Sequence, residues 1–343
     1  MRRLLFAPLL LLSCSDYDLG KTGDEPNDRP PKDTSAPDTD TDTTGRDTHA
    51  ADSGGVTVPD TDEPTYDLPD GKVDVVLIVD VTYVYDCYHA DVATHTSAVV
   101  AELLGSGANV AVAIASFDDY QVDGEWWASF GGLPYKLDQQ LTTDLTRLQS
   151  AAAGLSLEWG GDGPGTGLEA IAQVADGDGY DQDCDGRYDS TTDIKPFNAR
   201  STDAFGGSVN GTAVESTPGT GTRSGVGWRD GSKKVVVVLA ENAFRDRNEG
   251  HGTPSGACTP VVTRTAAINA LTAADAKFLG VNAYEFQDID PLLQEQLEEI
   301  AQGTSSKIDA DHDGARDDVA VLAGDWDWPA TPILTQAIFD LVR

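Results

Sequence analysis

VVLIVDVTYVYDCYH, residues 75–89, decides the fold. An unbroken, mostly β-branched apolar run ends in Asp80, a hydroxyl follows at Thr82, and a helical pattern opens at His89 after Asp86 and Cys87. An apolar run without polar alternation reads as a strand buried on both faces, as in parallel sheets. Open α/β sheets bind their ligands outside the carboxyl ends of such strands, so Asp80 stands where a site is expected.

The same signature recurs along the chain. Short apolar runs occur at Val73–Val81, Asn109–Phe117, Lys233–Leu239, Ala276–Val281 and Asp318–Ala323. Amphipathic patterns separate most of them, at His89–Leu104, Leu137–Ala153, Gly167–Ala175, Pro260–Ala273, Pro291–Ala301 and Pro329–Val342. Buried strands alternating with helices predict an α/β fold: a doubly wound, mostly parallel central sheet with helices on both faces. GEWWASFGG (124–132) reads as an edge hairpin.

Four separated pieces carry a family likeness in the right order: NVAVAIASF (109–117), LEWGGDGPGTGLEAIAQVA (157–175), GVGWRDGSKKVVVVLAENAF (225–244) and AKFLGVNAYEFQ (276–287). With VVLIVDVTYV they resemble von Willebrand factor A domains, and more closely the A-like domain of integrin β subunits. That resemblance implies a divalent cation, Mg²⁺ or Mn²⁺, held above the sheet by loop oxygens and completed by a ligand's carboxylate. Carried over residue by residue, it selects Asp80 and Thr82 from the first loop, Asp162 and Thr166 from the second, and Asn242 from the third. Three positions depart from the pattern: Val84 replaces a hydroxyl, Gly165 replaces a Glu, and Asn242 replaces an Asp, with Glu241 beside it on the opposite strand face. Cys87 and Tyr88 stand where an adjacent second metal site would need acids. Two outcomes remain open: a weakened cation site, or a relic in which Asp80 accepts backbone amides.

Two acidic loops fit a hard cation better. DQDCDGRYD (181–189) and DADHDGARD (309–317) share the pattern D-x-D-x-D-G-x-x-D. Alternate acids converge on one ion, and the glycine permits the sharp turn. The candidate Ca²⁺ ligands are Asp181, Asp183, Asp185 and Asp189, then Asp309, Asp311, Asp313 and Asp317. Thr192 and Ala320 occupy the place of an EF-hand's closing Glu, so the loops resemble the shorter ones of thrombospondin type 3 repeats and dockerins. Both are expected to be structural, at the pole of the sheet opposite Asp80. The alternative is a pair of solvated acidic turns.

The ends of the chain concern export. MRRLLFAPLLLLSC carries two arginines, an apolar core too short to span a bilayer, and a Leu-Leu-Ser-Cys box that resembles a bacterial lipoprotein cleavage site. The resemblance makes residues 1–13 a signal peptide and Cys14 the acylated residue, placing the protein in the bacterial cell envelope on a lipid anchor. Residues 14–70 are rich in Thr, Asp and Pro, and 15–70 contain sixteen acids and four bases. Such a segment buries too little to fold. As a flexible coil its 56 residues reach ~40 Å, a stalk for the domain at 71–343. Within that domain 176–230 reads as an insertion carrying the first acidic loop.

Of the net charge of −35, the stalk holds −12 and the leader's arginines +2, leaving −25 on the domain. That excludes nucleic acid and favours cations or basic protein surfaces. Four cysteines include Cys87, Cys184 and Cys258 after Cys14. The integrin likeness implies a Cys184–Cys258 disulfide in an exported protein. No HExxH, GxSxG or Walker pattern is present, so the chain reads as a non-enzyme. Two functions follow: a lipid-anchored module for cation-dependent adhesion to a protein or other extracellular ligand, or a calcium-stiffened structural component of an envelope or secretion assembly.

Overall fold

The computed structural model describes residues 66–82, 88–120, 133–155, 164–181, 194, 225–251, 261–283, 290–311, 313–323 and 330–343, with side chains from 92 onward in the first helix. All of these belong to one compact unit, Pro64–Arg343. The cysteines, GEWWASFGG, Val84, Asp162, Asp183, Asp185 and Asp189 lie outside the described residues.

Six strands make the central sheet: β1 (Lys72–Asp80), β2 (Asn109–Phe117), β3 (Lys136–Thr142), β4 (Lys233–Ala240), β5 (Ala276–Asn282) and β8 (Val321–Ala323), in the order β3-β2-β1-β4-β5-β8. All neighbours are parallel except β3, which runs antiparallel to β2. Eight consecutive residues of β1 are buried, from Val73 to Asp80, so both faces are covered. One helical layer is α1 (Tyr88–Gly105), α2 (Leu145–Ala153) and α6 (Thr331–Asp340), with α1 packed on both others. The other is α3 (Gly167–Ala175), α4 (Arg264–Ala273) and α5 (Pro291–Gly303), with α4 packed on both others. The predicted α/β class and mostly parallel sheet hold.

Two predicted elements are corrected. Residues 137–142 were expected to open a helix but form the edge strand β3. Leu137 and Leu141 suggested helical spacing, yet positions four apart share a face in a strand as well. The helix begins later, where the Asp144 carboxylate accepts from the amides of Thr146 (3.0 Å) and Arg147 (3.3 Å). The outer edge of β3 is partly covered, since the Leu141 amide donates to the Val226 carbonyl. The expected strand Asp318–Ala323 splits at Ala320. Its first part is β7 (Asp318–Val319), antiparallel to β6 (Lys307–Ile308), and its second is β8, parallel to β5.

The loops at the carboxyl ends of the strands are tied to one another. Gly165 donates to the Ala243 carbonyl at 3.0 Å and accepts from Arg245 at 2.7 Å, which locks the segment before α3 to the one after β4. Gly167 lets this happen: a Cβ there would sit 2.3 Å from the Phe244 ring. Gln296 of α5 holds Phe244 at both ends, accepting from its amide (2.6 Å) and donating to its carbonyl (2.9 Å).

The opposite pole has its own clamp. Tyr66 donates to Glu102 at 2.6 Å and meets the Phe339 ring edge-on, while Arg343 pairs with Asp67. The first described residues of the unit therefore lie beside the last, at the pole away from Asp80. Among the described residues no helix is long and apolar enough to cross a membrane.

Candidate functional site

The strand order reverses direction across β1, with β2 on one side and β4 on the other, so the crevice between β1 and β4 is the topological switch point. Asp80 ends β1 there and is 2% exposed. Its Oδ1 accepts from the Thr82 amide at 3.0 Å and from the Thr82 hydroxyl. Its Oδ2 accepts from the Glu241 amide at 3.4 Å, across the crevice. Burial pushes the Asp80 carboxyl above the usual range, and the hydrogen bonds from Thr82, Glu241 and Asn242 pull part of the way back.

Thr166 lies close by but is turned away. Its hydroxyl is within donating distance of the Asp118 carbonyl (2.8 Å) and the Pro134 carbonyl (3.0 Å). Gly165 reaches the crevice: a Cβ there would lie 3.7 Å from the Thr82 hydroxyl. Asn242 is half-buried and Glu241 buried. Of the five sequence-selected residues, Asp80 and Thr82 are thus brought into contact. Thr166 is engaged with backbone, and Asn242 follows Glu241 at the rim. A hard divalent cation needs about six oxygens. Asp80 and Thr82 alone supply fewer than that, and Val84 and Asp162, the remaining first- and second-loop positions, lie outside the described residues.

The crest holds further buried polar residues that were not singled out from the sequence. Asp118 and Asp119 follow β2 and are 1% and 4% exposed. Asp119 pairs with Arg245 at 2.8 Å and accepts from the Tyr120 amide at 2.8 Å. The signal was the one that marked Asp80: in ASFDDY the acids stand at the carboxyl end of a buried strand.

The second acidic loop joins β6 to β7 and then β8, which places it at the pole opposite Asp80, as expected. Asp309, Asp311 and Asp313 bring carboxylate oxygens within 4.8 Å of one another. Each also shapes the turn. Asp311 accepts from the Asp313 amide (3.2 Å), Asp309 from Gly314 (3.1 Å) and Asp313 from Ala315 (2.7 Å). Gly314 takes the left-handed φ of +91° that the pattern's glycine was expected to supply. This cluster of three aspartates can bind a metal ion. Asp317, the expected fourth ligand, is exposed and lies outside this group of three. Its neighbour Asp318 instead accepts from the Ala310 amide (2.9 Å), and Arg316 reaches the Asp340 carbonyl at the end of α6 (2.7 Å).

The neck of the first acidic loop departs from its expected place. After α3 the chain doubles back along that helix, and Tyr180 packs on Tyr120 with ring centroids 5.4 Å apart. Tyr180 and Ile194 exchange backbone hydrogen bonds of 2.7 and 2.9 Å, closing the neck. The chain therefore reaches Asp181 beside α3, against the segment that follows β2. The reversal runs through Gly177 and Gly179, both at left-handed φ, and Gly179 is held to the Gln173 side chain. Of the loop's four expected ligands only Asp181 lies among the described residues.

Compared with known proteins, the chain matches no family model and no curated protein.

Proposed function

We propose that this protein is a non-catalytic, lipid-tethered module of the von Willebrand A type in a bacterial cell envelope, stiffened by Ca²⁺ and binding a protein partner through the crest around Asp80 without a metal bridge. The observation that carries this reading is the contrast between the two acidic centres. Asp80 spends both oxygens on Thr82 and Glu241, whereas Asp309, Asp311 and Asp313 converge at the surface. Ca²⁺ favours flexible, all-oxygen loops of that kind. Within the unit, the crest lies at the pole away from Tyr66, which is held beside Glu102 and Phe339. Its partner surface is expected to be basic, given −25 on the domain.

Isothermal titration of the mature chain with Ca²⁺, Mg²⁺ and Mn²⁺ tests the reading. One calcium equivalent should be lost in Asp311→Ala and none in Asp80→Ala. At tenfold excess over Kd, one such site adds about 1.4 kcal/mol of stability. Binding that disappears in Asp80→Ala but survives Asp311→Ala restores the second reading, metal-bridged adhesion. Gly165 lying against Thr82 supports that alternative, because it brings the second loop to the first as the integrin likeness implies.

The tether has a separate test. Cys14→Ser is expected to abolish acyl labelling and to release soluble protein or leave an uncleaved precursor. Undiminished labelling in that variant would remove the anchor from the proposal.

A further inference from the structure

Glu169, in the first turn of α3, is a buried carboxyl group to which the proposed function assigns no role. Its Oε1 accepts from Gln173 Nε2 at 2.8 Å, and its Oε2 accepts from the Tyr120 hydroxyl at 3.2 Å. The Gln173 side chain also holds the returning chain, accepting from the Gly179 amide (2.9 Å) and lying within donating distance of the Gly179 carbonyl (3.2 Å). One carboxyl group thus joins the segment after β2 to the segment that carries the neck of the first acidic loop.

We infer that Glu169 is a proton-operated latch: protonated, it holds segment 176–181 closed on α3 through Gln173 and Tyr120, and on losing its proton to solvent it lets that segment open.

The surroundings give the direction. Among the described residues no cation pairs with Glu169. The segment after β2 presents Tyr120, with Asp119 behind it already committed to Arg245. The returning chain presents Asp176, which repels the ionised form, and Tyr180. β1 contributes Asp80 at its end, and the charge at the start of α4, Arg264, is committed to Asp246 and Glu249. Burial accordingly pushes the Glu169 carboxyl up to about 7, against the pull of its bonds to Gln173 and Tyr120. The neutral acid keeps the bond from Gln173 and turns its own O–H toward Tyr120, whose hydroxyl can accept as well as donate. The closed segment then encloses no charge. The ionised group regains hydration only when the segment lifts, so ionisation and opening favour each other.

Amide hydrogen exchange on the full mature chain tests this. The readout is protection at Gly179 and Tyr180, corrected for intrinsic rates and compared with amides of β1. Between about pH 5.5 and pH 8 protection should fall on the order of tenfold or more at these two amides, at a level well below that of the β1 amides, which exchange only by global unfolding. Glu169→Gln, a neutral isostere, should keep the segment protected and remove the pH dependence. Gln173→Ala should lower protection at every pH. Protection at Gly179 and Tyr180 that is flat with pH in the wild type, or an unchanged pH profile in Glu169→Gln, overturns the latch. The wild-type profile decides the matter even if the glutamine variant does not fold.

Discussion

Arg229→Ala is expected to destabilise the domain by about 3–5 kcal/mol, the cost of leaving a buried charge without its partner. The charge is Asp74, fully buried at the amino-terminal end of β1. Its Oδ1 pairs with Arg229 Nε, and its Oδ2 accepts from the Arg229 amide (2.7 Å) and the Ser232 hydroxyl (2.7 Å). The rest of the guanidinium closes the pole: Nη1 donates to Asn109 Oδ1 (2.9 Å), and Nη2 to the carbonyls of Val73 (2.7 Å) and Asn109 (3.0 Å). One side chain therefore clamps the starts of β1 and β2 to the segment leading into β4. Denaturant titration of the single variants and of Arg229→Ala with Asp74→Ala checks this. The double variant should lose much less than the sum of the two singles, because the second substitution removes the stranded charge. Additive losses would show that the residues contribute independently.

Stability is also expected to fall as pH rises from about 4.5 to about 7, and Glu169→Gln should flatten that slope. The Glu169 carboxyl sits at about 7 in the folded protein against an ordinary value of 4.5. The native state therefore holds a proton that unfolding releases within that window. Its contribution is fully present below the unfolded value and is lost as pH climbs through the folded one. The full shift amounts to about 3 kcal/mol, or roughly 5 °C or more in Tm for a unit of this size. Asp80 and Asp176, also raised by burial, act in the same direction. Melting curves across the range check the prediction. A variant as pH-sensitive as the wild type would mean that Glu169 is not the proton acceptor responsible.

Much of the site was legible because of where Asp80 stands. A carboxylate closing an apolar strand is conspicuous in one dimension, and the family likeness supplied Thr82, Thr166 and Asn242 as companions. The same rule would have found Asp118 and Asp119. Glu169 could not be found that way. An acid in the first turn of a helix reads as a favourable interaction with the helix dipole on an exposed surface. It becomes a buried group only because Tyr120 and the chain after α3 close over it.

The sequence by itself determined the class and most of the elements, because a strand covered on both faces must be continuously apolar and the turns must carry polar or capping residues. The aspartate spacing and Gly314 in the second loop belong to the same category, since alternating acids and a left-handed turn are local properties. Only the tertiary structure decided which oxygens are available. Asp80 bonds to Glu241, 161 residues away, and Asp74 to Arg229, 155 away. The edge strand at 136–142 and the split at Ala320 were settled in the same way, by which neighbour each segment meets. A buried carboxylate takes whichever donors the packed loops bring to it, and chain spacing does not encode that choice.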